Sequence, residues 1–87
     1  MNQIGAFKET VRLAREAPWH TTKEGCSVIH LEDTLAKILS AESTRHPYSS
    51  GKLGRHLGWA QAVVCMYSPA GHTLETFKAM NRRYGQA

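Results

Sequence analysis

The sequence has little that would support catalysis. Its 87 residues include one aspartate, Asp33, and two widely separated cysteines. We find no paired carboxylates, no serine in a nucleophile elbow and no cysteine–histidine spacing of the kind that catalytic sites use. A chain this short also has little room for a deep pocket. We therefore expect a binding protein, not an enzyme, and we expect no cofactor.

Metal-binding and disulfide patterns are missing as well. The closest grouping of metal-ligating side chains is His20, Cys26 and His30, and its spacing matches no standard zinc motif. The first twenty residues carry five charges and do not resemble a signal peptide, so we expect a cytoplasmic protein with free thiols. A Cys26–Cys65 bridge is the disfavoured alternative. No apolar run approaches the about 20 residues of a transmembrane helix, so we expect no membrane association.

The chain is short and basic. Its length predicts a single domain, residues 1–87, whose core is near the lower size limit for independent stability, and such chains often gain stability by association. Eleven lysines and arginines against seven acidic residues give a formal charge of +4. This excess favours anionic partners, although solvated surface charge explains it about equally well.

Apolar residues recur at three- and four-residue steps in four segments, each bounded by proline, glycine or a capping residue. We predict a first helix over residues 2–17 and a second that follows the cap Ser27 and ends near residues 42–44. A third follows Ser49 or Ser50 as cap and runs to about residue 67, and a fourth follows the cap Thr73 and is closed by Gly85. The fold class is all-α, a compact bundle of about four helices in which the last two form a helical hairpin. Residues 27–31 allow a short strand as an alternative, because Val28 and Ile29 are β-branched.

The third segment has a basic, glycine-containing start. Free N–H groups at a helix N-terminus, two serine hydroxyls and nearby cations are the parts from which phosphate sites are made. A Walker loop is absent, because Leu53 follows Lys52 where serine or threonine is required. Simple capping by a serine is the competing interpretation. The candidate anion or phosphate-binding residues are Tyr48, Ser49, Ser50, Gly51, Lys52, Arg55 and His56.

From Trp59 onward the third segment is apolar or small nearly all round. We therefore expect this helix to be buried on most sides, in the middle of the bundle or in a homo-oligomer. Glycines inside a helix are costly, and close approach of a neighbouring backbone is the usual compensation. The candidate packing or oligomer residues are Gly54, Gly58, Trp59, Val63 and Met66.

Residues 53–64 also resemble the pattern of bacterial helix-turn-helix regulators, with Gly58 in the turn and Gln61 near the start of a recognition helix. This resemblance implies a small DNA-binding transcriptional regulator. The residues after Gln61 are Ala62, Val63 and Val64, which offer almost no polar groups to base edges.

Residues 55–83 resemble the end of small phage and prophage accessory proteins, which carry an Arg-x-Leu-Gly-aromatic-x-Gln helix, a turn and a second helix closing on Asn-Arg. The matching residues are Arg55, Leu57, Gly58, Trp59, Gln61, Leu74, Glu75, Met80, Asn81 and Arg82. The resemblance implies a helical hairpin and a phage accessory role, and it supplies no catalytic residue. We expect a non-catalytic protein, acting in the cytoplasm of the host cell, that counters or redirects a host defence system. Its partner would be a host protein or an anionic, phosphorylated ligand, nucleotide or nucleic acid.

Overall fold

The computed structural model describes residues 1–85 and contains four α-helices. Their bounds are α1 Gln3–Glu16, α2 Val28–Ser43, α3 Ser50–Tyr67 and α4 Leu74–Gly85. No strand occurs among these residues, so the all-α prediction is confirmed and the strand alternative for residues 27–31 is wrong. The backbone N–H of His30 donates to Ser27 Oγ at 3.1 Å, and this cap starts a helix where β-branched residues alone were ambiguous.

Local capping explains most of the helix boundaries. The N–H of Gly5 donates to Asn2 Oδ1 at 2.8 Å and starts α1, which ends before Pro18. Ser49 caps α3. At α4 the expected Thr73 hydroxyl cap is replaced by the reverse contact, in which the N–H of Thr73 donates to Thr76 Oγ1 at 3.2 Å.

Helix α1 lies at the centre of the bundle, and each of the other three helices packs against it. Small side chains on α1 recur every four residues and let its neighbours approach closely. Larger apolar residues on the adjacent row fill the core. The fully buried residues of α1 are Ala6, Phe7, Thr10, Val11 and Ala14. Of the two alternatives for α3, the middle of the bundle is therefore wrong, since α1 takes that place, and burial in a homo-oligomer stays a prediction.

Helices α3 and α4 are joined by a short turn, residues 68–73, and each lies closer to α1 than to the other. They meet through side chains, of which the amides of Gln61 and Asn81 are the clearest pair. Gln61 Nε2 donates to Asn81 Oδ1 at 2.8 Å, and Asn81 Nδ2 donates to Gln61 Oε1 at 3.0 Å. Next to this pair, an open groove lies between the two helices.

The segment between α1 and α2 is anchored by Trp19. Its ring is buried, and its Nε1 donates to the carbonyl oxygen of Cys26 at 2.9 Å. A loop of this length is thus fixed to the core at one point while its polar residues face solvent. Among the helices in residues 1–85, none combines the length and the apolarity that crossing a bilayer requires.

Candidate anion-binding site

The backbone at the start of α3 offers two free donors. Ser49 Oγ accepts from the N–H of Lys52 at 3.2 Å, and the Ser49 carbonyl accepts from the N–H of Leu53 at 2.9 Å. The N–H groups of Ser50 and Gly51 find no acceptor within residues 1–85. Both residues are exposed, so these donors and the positive end of the helix dipole point to solvent.

Tyr48 organises the side chains around this turn. Its half-buried ring packs on the core and stacks on His56, with ring centroids 5.7 Å apart and an interplanar angle of 29°. Lys52 Nζ lies 4.0 Å from the centroid of the same ring, a cation–π distance. One aromatic ring therefore holds an ammonium and an imidazole side by side at the helix start.

The charge of this cluster is not compensated. Neither Lys52 nor Arg55 has a salt-bridge partner within residues 1–85, whereas the cations of Arg12, Arg15 and Arg83 do. No carboxylate occurs in the sequence between Glu42 and Glu75. Burial and then the charges of Lys52 and Arg55 lower the pKa of His56 below its usual 6.5. The site thus has a positive potential that an anion would relieve.

The seven predicted anion-site residues divide into three groups. Tyr48, Lys52 and His56 are in mutual contact through the tyrosine ring. Ser49 is occupied as a cap, while Ser50 and Gly51 supply the free donors. Arg55 lies one turn along, with a guanidinium nitrogen 3.6 Å from the position that a Cβ on Gly51 would take. Its side chain folds back toward the same N-terminal turn.

The five predicted packing residues lie on different sides of α3. Val63 is buried, and Trp59 is half-buried with its ring edge-on to His30 at 5.4 Å between centroids. A Cβ on Gly54 would lie 3.2 Å from Gln3 Nε2, so this glycine does allow a close approach to α1. Gly58 and Met66 face solvent: a Cβ on Gly58 would meet nothing within 4 Å, and Met66 is 67% exposed. This face of α3 is therefore not buried within one chain, and its burial in a homo-oligomer stays a prediction.

The turn that a helix-turn-helix needs is not formed, because α3 continues as one helix through Gly58. Gln61, the residue assigned to the start of a recognition helix, is buried and pairs with Asn81. Its Nε2 also lies 3.5 Å from Thr10 Oγ1 on α1. This glutamine joins three helices, and its amide is paired with Asn81 instead of being free to contact a base.

The thiols and histidines do not converge. Cys26 and Cys65 are free and half-buried, and burial raises the pKa of the Cys65 thiol, which makes it a weaker nucleophile. Within residues 1–85, no three side chains of the His, Cys, Asp and Glu types lie close enough together to hold a metal ion. The sequence placed Tyr48 and His56 in the same candidate site but did not indicate that their rings stack, since the cap and two helical turns separate them along the chain.

Comparison with protein-family models, with curated proteins and with solved structures finds no match to this chain.

Proposed function

We propose that this protein is a non-catalytic accessory protein of the phage type that binds a phosphorylated ligand at the start of α3. The observation that carries the proposal is that the first two turns of α3 bring Lys52 and His56 against the Tyr48 ring and Arg55 against the turn with two free backbone N–H groups, with no carboxylate between Glu42 and Glu75 to neutralise the cations. Phosphate oxygens accept hydrogen bonds from such donors and are attracted by such charges. Tyr48 adds an aromatic face beside the site, which suits a nucleotide.

The accessory role rests on the resemblance of residues 55–83 to small phage proteins. Two of the matching residues, Gln61 and Asn81, form the amide pair between α3 and α4, so this signature serves the fold. The N-terminal turn of α3 is then the solvent-facing part that is left available for a ligand. In this role the protein acts in the cytoplasm of the host cell and counters or redirects a host system by sequestering the ligand.

The test is calorimetric titration at low salt with inorganic pyrophosphate, a cyclic dinucleotide and a short DNA duplex. We expect Lys52→Ala combined with Arg55→Ala to weaken binding by about a hundredfold, because two charged hydrogen bonds of about 1.5 kcal/mol each would be lost. The matched control is Lys8→Ala with Lys23→Ala, which also removes two exposed, unpaired cations of residues 1–85 and leaves the start of α3 intact.

The outcomes separate the alternatives. Equal weakening in both double variants would show attraction by net charge alone, and no binding to any probe would leave the host protein as the partner. Binding to the duplex alone, with a steep dependence on salt concentration, would favour a DNA-binding protein.

A further inference from the structure

The solvent-facing side of α3 lacks charge over most of its length. No Asp, Glu, Lys or Arg occurs between Arg55 and Glu75 in the sequence. On this face Gly58, Ala62 and Met66 follow one another at four-residue steps, and all three are exposed. Leu74, at the start of the neighbouring α4, is 64% exposed. An exposed helix face normally carries charged or polar side chains, so this one has the composition of a contact surface.

The face includes both a cavity and a projecting side chain. The groove between α3 and α4 has a volume of about 240 Å³. Its lining is small or apolar at Gly58, Ala62, Cys65, Leu74 and Phe77, and its polar members are Gln61, Lys78 and Asn81. It is open because Gly58 has no side chain and nothing lies within 4 Å of where one would start. Met66 stands out of the same face, 67% exposed.

We propose that this face pairs with the same face of a second copy, with the two α3 helices antiparallel and the two-fold axis at Ala62. A two-fold interface requires that if residue i contacts residue j of the other copy, j also contacts i. Gly58 and Met66 lie four residues on either side of Ala62, so an axis there places Met66 of each copy over the Gly58 groove of the other. The two-fold axis thus gives each groove a Met66 side chain from the other copy to fill it.

The charges of α3 fix the antiparallel direction. Its first turns carry Lys52 and Arg55 and no acidic residue, and its last turn has no basic residue. The helix dipole adds positive charge at the first end and negative charge at the second. Parallel copies would bring the basic ends together, whereas antiparallel copies set each basic end beside the negative end of its partner.

The pairing does not depend on the proposed ligand. Lys52 is ten residues from Ala62, so at 1.5 Å per residue the two anion sites would lie about 30 Å apart, at opposite ends of the paired helices. The two proposals rest on different residues of α3, so failure of one leaves the other standing.

Light scattering after size exclusion, over a range of concentrations, measures the mass of the assembly. We expect wild type to approach twice the 9.7 kDa of the chain and Ala62→Arg to remain at 9.7 kDa, because two arginines would meet on the axis. Ala36→Arg, an exposed alanine of α2, is the matched control and should behave as wild type. Met66→Ala should weaken the dimer by about tenfold without adding charge. A wild type that stays monomeric, or an Ala62→Arg dimer, would overturn the proposal.

Cross-linking tests the geometry. In a Cys26→Ala, Cys65→Ala background, chains carrying Gly58→Cys are mixed with chains carrying Met66→Cys and oxidised. Antiparallel pairing predicts a disulfide in the mixture and none in either variant alone, since residues eight apart are separated by about 12 Å along the axis, too far for a disulfide. Cross-linking of each variant with itself would show parallel pairing and contradict the model of a two-fold axis at Ala62.

Discussion

Gly5 lies where the first turn of α1 meets α4. A Cβ at this position would lie 2.6 Å from Asn2 Nδ2 and 2.8 Å from Tyr84 Cε1, both closer than real Cβ contacts. Asn2 is also the cap of α1, and its backbone N–H donates to the carbonyl of Tyr84 at 2.9 Å. The absence of a side chain therefore allows the cap and the α1–α4 contact to coexist.

We predict that Gly5→Ala destabilises the protein by about 1 kcal/mol or more, because displacing Asn2 loses a helix cap and shifts the Tyr84 ring. Gly58→Ala is the control, since nothing lies within 4 Å of its Cβ position. There we expect the opposite sign, a stabilisation of about 1 kcal/mol from helix propensity. Urea unfolding of both variants, in dilute protein where association does not contribute, measures the difference. If both substitutions stabilised the protein, the space around Gly5 would be large enough for a side chain and the prediction would be wrong.

The Gln61–Asn81 pair shows what residue patterns leave undetermined. The sequence marks Gln61 as a polar residue in an apolar stretch, and this oddity suggested base recognition. In the structure its amide is satisfied by Asn81, 20 residues away, at 2.8 Å and 3.0 Å. A buried amide needs such a partner, but spacing along one helix gives no information on which residue of another helix supplies it.

At the scale of the helix, the positions where helices begin and end were largely predictable from the sequence, but which helices pack against each other was not. Proline and the serine caps act within a turn of the residues they affect, so α1, α2 and α3 begin and end within about one residue of the predicted positions. The order of packing depends instead on how closely two backbones approach. The small residues Ala6, Thr10 and Ala14 make α1 the common partner. The sequence showed that α3 is apolar or small nearly all round from Trp59, but it did not show which face the other helices leave uncovered.

An ion pair ties α1 to α4. Arg83 donates to both carboxylate oxygens of Glu9, at 2.9 Å and 3.0 Å, and the Glu9 side chain is 18% exposed. Burial raises the pKa of Glu9, but hydrogen bonds from Arg83 and Tyr84 and the nearby positive charge outweigh it and leave the pKa below 4.5. The hydrogen bond between Tyr84 and the Glu9 carboxylate also raises the pKa of Tyr84.

We predict that Glu9→Gln lowers the free energy of unfolding by about 0.5–1 kcal/mol at neutral pH. Because the folded-state pKa is depressed, ionised Glu9 contributes stability above pH 4.5 and loses it as the pH falls through the folded value. The difference between wild type and variant should therefore shrink in acid. Glu16→Gln is the control: Glu16 is 57% exposed and pairs only with Arg12 of its own helix, so we expect a change of about 0.3 kcal/mol. Urea unfolding of wild type and both variants from neutral pH to pH 3 measures these free energies. If wild type and Glu9→Gln differed by the same free energy of unfolding at every pH, ionisation of Glu9 would not contribute to stability.

At the scale of the whole molecule, acidic charge is absent from one long part of the chain. The acidic residues are Glu42, five residues before it and Glu75, and five of the basic side chains pair with them within residues 1–85. The intervening chain contributes a basic turn followed by an uncharged face. The proposed anion site and the proposed self-association surface thus occupy different parts of one helix, and each has a composition that favours a binding partner.

His56 reports directly on whether the basic turn binds an anion. Its pKa is lowered by burial and by Lys52 and Arg55, so the folded protein favours the neutral imidazole and loses stability as the pH falls below 6.5. A phosphate beside the two cations would offset their charge and raise the pKa. Removing both cations by Lys52→Ala and Arg55→Ala should raise it as well, while burial still holds it below 6.5, and phosphate should then have no further effect. Imidazole NMR signals followed against pH measure these shifts, with His20, on the loop between α1 and α2, reporting general salt effects. A phosphate-induced rise that persists in the double variant would place the anion elsewhere, because the charges that define the site would be gone.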